Sequence, residues 1–594
     1  VKLGRSLRAW TRRPIRVWSH RAFRVPVAPH GTAMLDPRRS DDALTWALDA
    51  GVLSPDDVEE APEIGWGDVL RVHDPAYLAS LDRTAALSRI LAVPEEMIPV
   101  SGILELWRRA CGGVLAGARW SLANKSPALC LSGGFHHAEP AKGGGFCGIN
   151  DVAIAIAALR TEGLRGMIAV IDLDAHPPDG TVACLASDTE TSILSVSVQS
   201  HWSVPEGPRV LDRRVPSGAG DEVYLEAVDR ILAALPTRCA MVFYLAGTDP
   251  LAGDPLGGLA VSEAGLRERD RRVFRQLRGV PSVTMPAGGY TERSWRVLAN
   301  TLAEAAQLGT VPAMDYDPLA RRTRYVARRL DPAVLSGDEN DVITEADLFG
   351  DLSIGRARDE RFLGYYTRHG LEHALTEHGF LPALRAMGFE QLQLHLEPSE
   401  AQDRLRISAR VGAGRADLVD LCLSLRTMGG FRVLFVEWLE MLDPRSLFVT
   451  SRPRLPGQRA PGLGLAPEVG HLLVISATRL GLDGVGLVPA HYHVAWMSRH
   501  RFEVLDPEER GRFRALVHHL RDVPLGIATQ QLHQGLVTED GELLRWWSPQ
   551  MAIPLSESMR TWVASTEGRA RKAESSWRGR LVPIPPGEWG TPAT

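Results

Sequence analysis

From about residue 165 to 310, short uninterrupted apolar runs alternate with amphipathic stretches. MIAVIDLD (167–174), SILSVSV (192–198), AMVFYLA (240–246) and PSVTMPA (281–287) predict buried strands, and the stretches 151–162, 221–234, 262–278 and 291–308 predict helices. Strands that are apolar on both faces and alternate with helices imply a parallel sheet with helices on both faces. The fold class is therefore α/β. A second region, 351–570, has apolar segments of its own, including FRVLFVEWLEML and HLLVISATRLGL, and predicts a separate α+β domain.

The rest of the pattern sets the boundaries. Residues 1–13 form a basic tail without the apolar stretch and cleavage site of a secretory signal, and 14–310 hold the α/β pattern. Residues 311–350, with Arg-rich ARRTRYVARR and acidic SGDENDVITEADLFGD, predict a linker, and 571–594 a loosely ordered tail. At 594 residues the chain is too long for one core, which agrees with two domains.

Polar residues follow the predicted strands directly: Asp174 and His176 after the first, Thr248 and Asp249 after the third, Gly288, Gly289 and Tyr290 after the fourth. In open α/β sheets the ligand crevice lies at the carboxyl ends of the strands. Three strands thus deliver reactive groups to one edge.

Composition narrows the function. A formal net charge of −5, from 67 basic and 72 acidic residues, argues against direct nucleic-acid binding. Lysine occurs only at Lys2, Lys125, Lys142 and Lys572, an arginine bias typical of a GC-rich, bacterial genome. The six cysteines have no CxxC spacing and suit reduced thiols in a cytoplasmic protein. No apolar run is long enough to span a bilayer.

IDLDAHPPDG places Asp172, Asp174, His176 and Asp179 around a strand end. Side chains two apart on an extended chain face the same way, so Asp174 and His176 can reach one cation, and Asp249 from a neighbouring strand end can complete the set. One histidine and two carboxylates with an open position suit catalytic Zn2+, and the same ligands could hold Fe2+. Alone, Asp-X-His is more often a hydrogen-bonded turn. Nearby, His136-His137 precedes the glycine-rich GGGFCGIND, and the spare carboxylates Asp172 and Asp179 can each hold one imidazole. Such histidines supply the base and acid that hydrolysis at a metal needs. Tyr290 can donate to an oxyanion opposite the metal.

LSGGFHHAEPAKGGGFCGINDVAIAIAAL, IDLDAHPPDG, AGTDPLAGDPLGGLAVSEAG and AGGYTERSWRVLANT resemble, in order and spacing, the blocks of the histone deacetylase family, most like its class IV branch. The resemblance covers about residues 14–310. It implies the arginase/deacetylase fold and hydrolysis of an acyl-lysine amide, on an acylated protein or a small-molecule amine. It makes Asp174, His176 and Asp249 the zinc ligands and His137 the general base and acid, assisted by His136. Asp172 would pair with His136, Asp179 with His137, and Tyr290 would polarise the acyl carbonyl. Gly145, Phe146 and Leu256 would line the substrate tunnel, with Trp202 a candidate for its second aromatic wall. Asp172 and Ser197 would adjoin a structural K+. Two departures stand out. Pro177-Pro178 replaces the family's His-Gly or Gln-Gly, which fixes φ, removes two donors and leaves room for a different path to Asp179. Leu256 stands where polyamine deacetylases of the family carry Glu, which argues against a polyamine preference.

In the second region, Arg459-x-x-Gly462-x-Gly464 precedes a predicted helix, 467–480, and a glycine-rich backbone before a helix is a ready anion cradle. The order weakly resembles the coenzyme-A-binding half of GNAT acetyltransferases and implies acetyl-CoA as a ligand. Two further readings thus accompany the deacylase: a bifunctional protein with an acyl-CoA-binding domain, and a catalytically weak acyl-lysine-binding module. His471, His491 and His493 match no metal spacing.

Overall fold

The structure is a computed structural model that describes residues 13–24, 36–200, 203–205, 207–337, 361–448, 454–535, 537–539 and 542–581. Most of the basic tail, Trp202, the acidic end of the linker and the last residues of the C-terminal tail lie outside them. The chain divides into two compact units, residues 1–321 with 386–388, and residues 322–385 with 389–594.

The first unit is built on an eight-stranded sheet. Its strands are β1 (Arg16–Ser19), β2 (Val58–Glu60), β3 (Pro127–Cys130), β4 (Ile168–Asp172), β5 (Thr191–Val198), β6 (Val210–Val215), β7 (Met241–Leu245) and β8 (Ser282–Met285). The order is β2-β1-β3-β8-β7-β4-β5-β6, and every pairing is parallel. β4 and β7 are wholly buried along their length, as continuous apolar runs in a two-sided sheet must be. Helices Asp151–Thr161, Asp221–Ala233, Glu263–Gln276 and Ser294–Ala305 stand where the periodicity predicts them. Asn150 and Ser262 start two of these by accepting backbone N–H bonds from Ala153 and Gly265.

The second unit carries a seven-stranded sheet. It comprises β9 (Glu390–Glu397), β10 (Asp403–Val411), β11 (Gly414–Met428), β12 (Phe431–Met441), β13 (Gly484–Leu487), β14 (Glu503–Val504) and β17 (Met551–Pro554). A small sheet adds β15 (Val537–Glu539), β16 (Glu542–Leu544) and β18 (Arg580–Leu581). β9 to β12 form an antiparallel meander, whereas β12 and β13 are parallel and joined through the helix Ala466–Arg479. That helix begins one residue before its predicted start.

Two of the expected boundaries gain detail. Part of the linker is ordered: Pro318–Ala327 and Pro332–Ser336 are helices. Along this stretch Thr323, Leu330 and Leu335 are buried, so one side of it packs. The helix Glu567–Ser576 crosses the expected domain end at 570 because Ala570 and Thr566 are buried, Ala570 fully, and Gly511 packs closely on its backbone. Among the described residues no helix is long and apolar enough to cross a membrane.

Candidate active site

Parallel strands β3, β8, β7 and β4 end on one edge of the sheet, and the residues that follow them converge there. Asp174 and His176 follow β4, Asp249 follows β7, Gly288 to Tyr290 follow β8, and His136-His137 follow β3. Ligand atoms of Asp174, His176 and Asp249 all lie within 4.8 Å of one another. His176 Nδ1 is 3.0 Å from Asp174 Oδ1 and 3.1 Å from Asp249 Oδ2. The remaining oxygens are anchored from behind: Gly288 N–H donates to Asp174 Oδ2 at 2.7 Å and Ala175 N–H to Asp249 Oδ1 at 3.0 Å.

The donor set fits a divalent cation. Asp249 Oδ2 is buried and makes no hydrogen bond of good geometry, although His176 Nδ1 is near. Burial opposes a charge on His176, yet its hydrogen bond to Asp174 and the negative charges of Asp174 and Asp249 raise its pKa to about 11. Two buried carboxylates facing one imidazole are an excess of negative charge that a cation would neutralise. A Cβ on Gly288 would lie 2.6 Å from Asp174 Oδ2 and 2.8 Å from Asp249 Oδ2, so only glycine leaves these oxygens their place.

Beside this triad the two histidines sit with ring centroids 4.1 Å apart. His136 Nδ1 is 2.9 Å from Asp172 Oδ2, and His137 Nδ1 is 2.7 Å from Asp179 Oδ1. The Asp179 pairing forms despite Pro177-Pro178. Pro178 immediately precedes the helix Asp179–Cys184, where a missing N–H costs nothing, and Asp179 N–H still donates to Pro177 O at 2.9 Å. Electrostatics separates the two rings. Burial opposes charge on both, but Asp172 and Asp174 raise His136 to about 9. Burial and then the neighbouring His136 charge drive His137 down to about 4, against the pull of Asp179. The two rings are thus driven in opposite directions, His136 toward the charged form and His137 toward the neutral one.

These groups open on a cavity of about 90 Å³ lined by Phe146, Tyr290, His136, His137, Asp174 and His176 among others. Phe146 and Tyr290 face each other with centroids 5.6 Å apart. Phe146 holds a left-handed φ of 68° and Gly145 one of 51°. A Cβ on Gly145 would also run into the His137 ring, which explains the glycine at this position. Leu256 is not among the cavity residues. It is 36% exposed on the loop beyond Asp254, to which its N–H donates. Ser197 Oγ donates to Asp212, which also accepts from Ser195, inside the β5–β6 pairing.

Three residues that hold the site escaped the sequence reading. Asp254 accepts the Tyr290 N–H at 2.7 Å. Arg39, on the helix Arg39–Asp49, donates to the carbonyls of Ala287 and Gly288 at 2.9 and 3.1 Å and so braces the approach to Tyr290. Asp151 accepts N–H bonds from Gly134 and Phe135, both at 2.8 Å, and fixes the loop before the histidines. The acid in GIND was the available signal for Asp151; nothing local marks Arg39.

Comparison with known proteins places this unit. A model of the histone deacetylase domain matches residues 33–306. Histone deacetylase 2 of Arabidopsis thaliana is 34% identical over 275 residues, which span 44% of this chain and 70% of that one. The chain belongs to the histone deacetylase family. An uncharacterized protein of Picosynechococcus sp. is 31% identical over 254 residues, 41% of this chain and 82% of its own. Among solved structures, an HDAC homolog from Aquifex aeolicus is 19% identical with a TM-score of 0.42, over 52% of this chain and 87% of that one. The deacetylase match ends before the second unit begins.

In that second unit Arg459 is paired with Glu440, its Nε 2.8 Å from Oε1. Gly464 takes a left-handed φ of 76° directly before the helix Ala466–Arg479. His491 and His493 stack with centroids 5.6 Å apart, and His533 meets His491 edge-on at 5.8 Å. Among the described residues, only Asp174, His176 and Asp249 converge as a group of three metal-ligating side chains.

Proposed function

We propose that the first unit is a zinc-dependent deacylase that hydrolyses the amide of an acyl-lysine side chain, acetyl or longer. The observation that carries this reading is the convergence of Asp174, His176 and Asp249 beside two carboxylate-held histidines and Tyr290. A divalent cation held by the three would act as a Lewis acid on the acyl carbonyl and lower the pKa of water. The donors suit zinc, and iron(II) as the alternative.

The chain's own residues divide the remaining work. His137, neutral with its pKa near 4, takes a proton from the attacking water while Asp179 holds its Nδ1. As the water oxygen bonds to the carbonyl carbon, the Tyr290 hydroxyl donates to the carbonyl oxygen. His136, an imidazolium paired with Asp172, adds positive charge next to the developing oxyanion. The C–N bond then breaks, and the proton on His137 passes to the leaving amine, giving a carboxylate and a free lysine. Phe146 flanks the acyl-lysine stem. Asp172 and Ser197 are the proposed neighbours of a structural K+. Leu256 supplies no charge for a cationic substrate, which favours an acylated protein over a polyamine. The test is a panel of acyl-lysine peptides of increasing chain length plus an acetylated polyamine, each with and without chelator. No chelator-sensitive hydrolysis of any member would sink the proposal.

The second unit supports one additional reading, that it binds acetyl-CoA and makes the protein bifunctional. β12 pairs with all of β13 over Val433–Val436 and continues to Met441, and Arg459 is held by Glu440 near that carboxyl end. Because Arg459 is engaged by Glu440, Gly462, Gly464 and the helix start are the proposed contact for the phosphates. Calorimetric titration of the full-length protein with acetyl-CoA tests this, and absence of any binding heat or thermal shift removes it.

A further inference from the structure

Behind the three converging side chains lies a buried polar group that their chemistry does not use. Arg269, on the helix Glu263–Gln276, is fully buried, as are its neighbour Asp270, Tyr244 on β7 and Tyr224 on the helix Asp221–Ala233. Arg269 Nη1 donates to Gly247 O at 2.6 Å and lies 3.5 Å from Leu173 O. The Tyr224 hydroxyl donates to the same Leu173 carbonyl at 3.2 Å. Arg269 Nε is in turn held by Asp270 Oδ1 at 2.8 Å, and Asp270 also accepts from the Tyr244 hydroxyl at 2.5 Å and from Thr301 at 2.6 Å.

The two carbonyls are the telling ones. Leu173 immediately precedes Asp174, and Gly247 stands two residues before Asp249, so one guanidinium spans both loops that deliver the carboxylates. Its guanidinium is placed by the Asp270 carboxylate, the Tyr244 ring 6.0 Å away and complete burial, and it cannot lose its proton to escape the interior. A buried arginine is retained only where its hydrogen bonds and partner offset desolvation. Here they point at the backbone of the site and not at a surface or an interface.

We propose that Arg269, held by Asp270, is a positioning residue that sets the spacing of Asp174 and Asp249 and thereby the affinity of the site for a divalent cation. Tyr224 is its accessory on the Asp174 loop. This inference rests on the reading of Asp174, His176 and Asp249 as cation ligands. Outer partners of metal ligands typically carry about 10–100-fold in affinity.

The test measures Co2+ affinity of the full-length protein by chelator competition, the visible absorption of the cobalt-loaded form, and the thermal midpoint. Arg269→Met is expected to weaken affinity about 10–100-fold and alter the absorption band, with Arg269→Lys in between. Thr301→Val, which removes only the far support of Asp270, should lower the midpoint but leave affinity and spectrum unchanged. Arg269→Met with wild-type affinity and spectrum overturns the inference, and so does Thr301→Val matching its loss, since general loosening would then suffice. If Arg269→Met does not fold, Tyr224→Phe carries the test: it deletes one hydroxyl, a weakening of about 2–5-fold is expected for one lost hydrogen bond, and no change overturns the role. Wild-type protein that binds no divalent cation overturns the metal reading itself and this inference with it.

Discussion

Gly288→Ala is the most economical perturbation of the proposed metal site, because it adds one carbon and removes no polar group. The new Cβ would stand 2.6 Å from Asp174 Oδ2 and 2.8 Å from Asp249 Oδ2, where contacts under 3.0 Å are essentially never found. Both oxygens must therefore shift, the first by about 0.4 Å and the second by about 0.2 Å, while metal–ligand distances tolerate about ±0.2 Å. Neither carboxylate can swing away freely, since Asp174 Oδ2 is held by the Gly288 N–H itself and Asp249 Oδ1 by Ala175. We expect zinc affinity to fall about 100-fold, or roughly 2.7 kcal/mol, with deacylase activity lost in step. The assay is bound zinc after dialysis against a graded chelator series, beside kcat/KM on an acetyl-lysine peptide and the thermal midpoint. Gly67→Ala, where the added carbon meets nothing within 4 Å, is the control. A folded Gly288→Ala protein with wild-type zinc affinity would refute the reasoning.

Other substitutions separate the remaining roles. His137→Ala should lower kcat by about 10²–10⁴-fold while bound zinc stays constant; loss of zinc instead would make the ring a support of the metal loops. Asp254→Ala frees the Tyr290 backbone and should reduce kcat more than it raises KM, measured by steady-state kinetics on one peptide. Leu256→Glu should raise kcat/KM for an acetylated polyamine relative to a peptide by about fivefold, as befits one partly exposed charge. For Asp179, burial favours the protonated acid, but the His137 hydrogen bond and charge and the Gly180 N–H outweigh it and lower the pKa. A lowered folded-state pKa stabilises the fold above the unfolded value, about 3.9, and that stability is lost as pH falls through the folded value. Denaturant titrations should show Asp179→Asn less stable than wild type at pH 6, with the gap closing on acidification; a gap that widens contradicts the pairing.

The deacetylase fold is legible in the sequence where burial is two-sided. β4 and β7 are apolar at every position because helices cover both faces, so their runs stand out without any alternation. β1 and β2 are short and partly exposed, which leaves them no comparable signal. Asp174, His176 and Asp249 are readable because they follow strand ends directly. The supports behind them are not. Arg39 reaches Ala287 across almost 250 residues of chain, and Arg269 sits in a helix whose other arginines are half-buried or exposed and look the same in the local sequence. Pro177-Pro178 gives the opposite lesson: a local departure left room for a changed path, but both prolines lie before the first helical residue, where no intrahelical N–H is needed, and Asp179 stays within reach of His137. The C-terminal unit was harder because its long strands β10 to β12 mix burial classes along their length and carry no residue set that converges as the deacetylase motifs do.

The central claim is that Asp174, His176 and Asp249 hold a divalent cation on which amide hydrolysis depends. The most direct measurement is turnover of an acetyl- or longer acyl-lysine peptide by full-length protein stripped with chelator and then restored with stoichiometric Zn2+. The account predicts loss on stripping, recovery with one equivalent of zinc, and no recovery in Asp249→Ala. Hydrolysis that survives stripping, or zinc that restores Asp249→Ala to the wild-type rate, would contradict it.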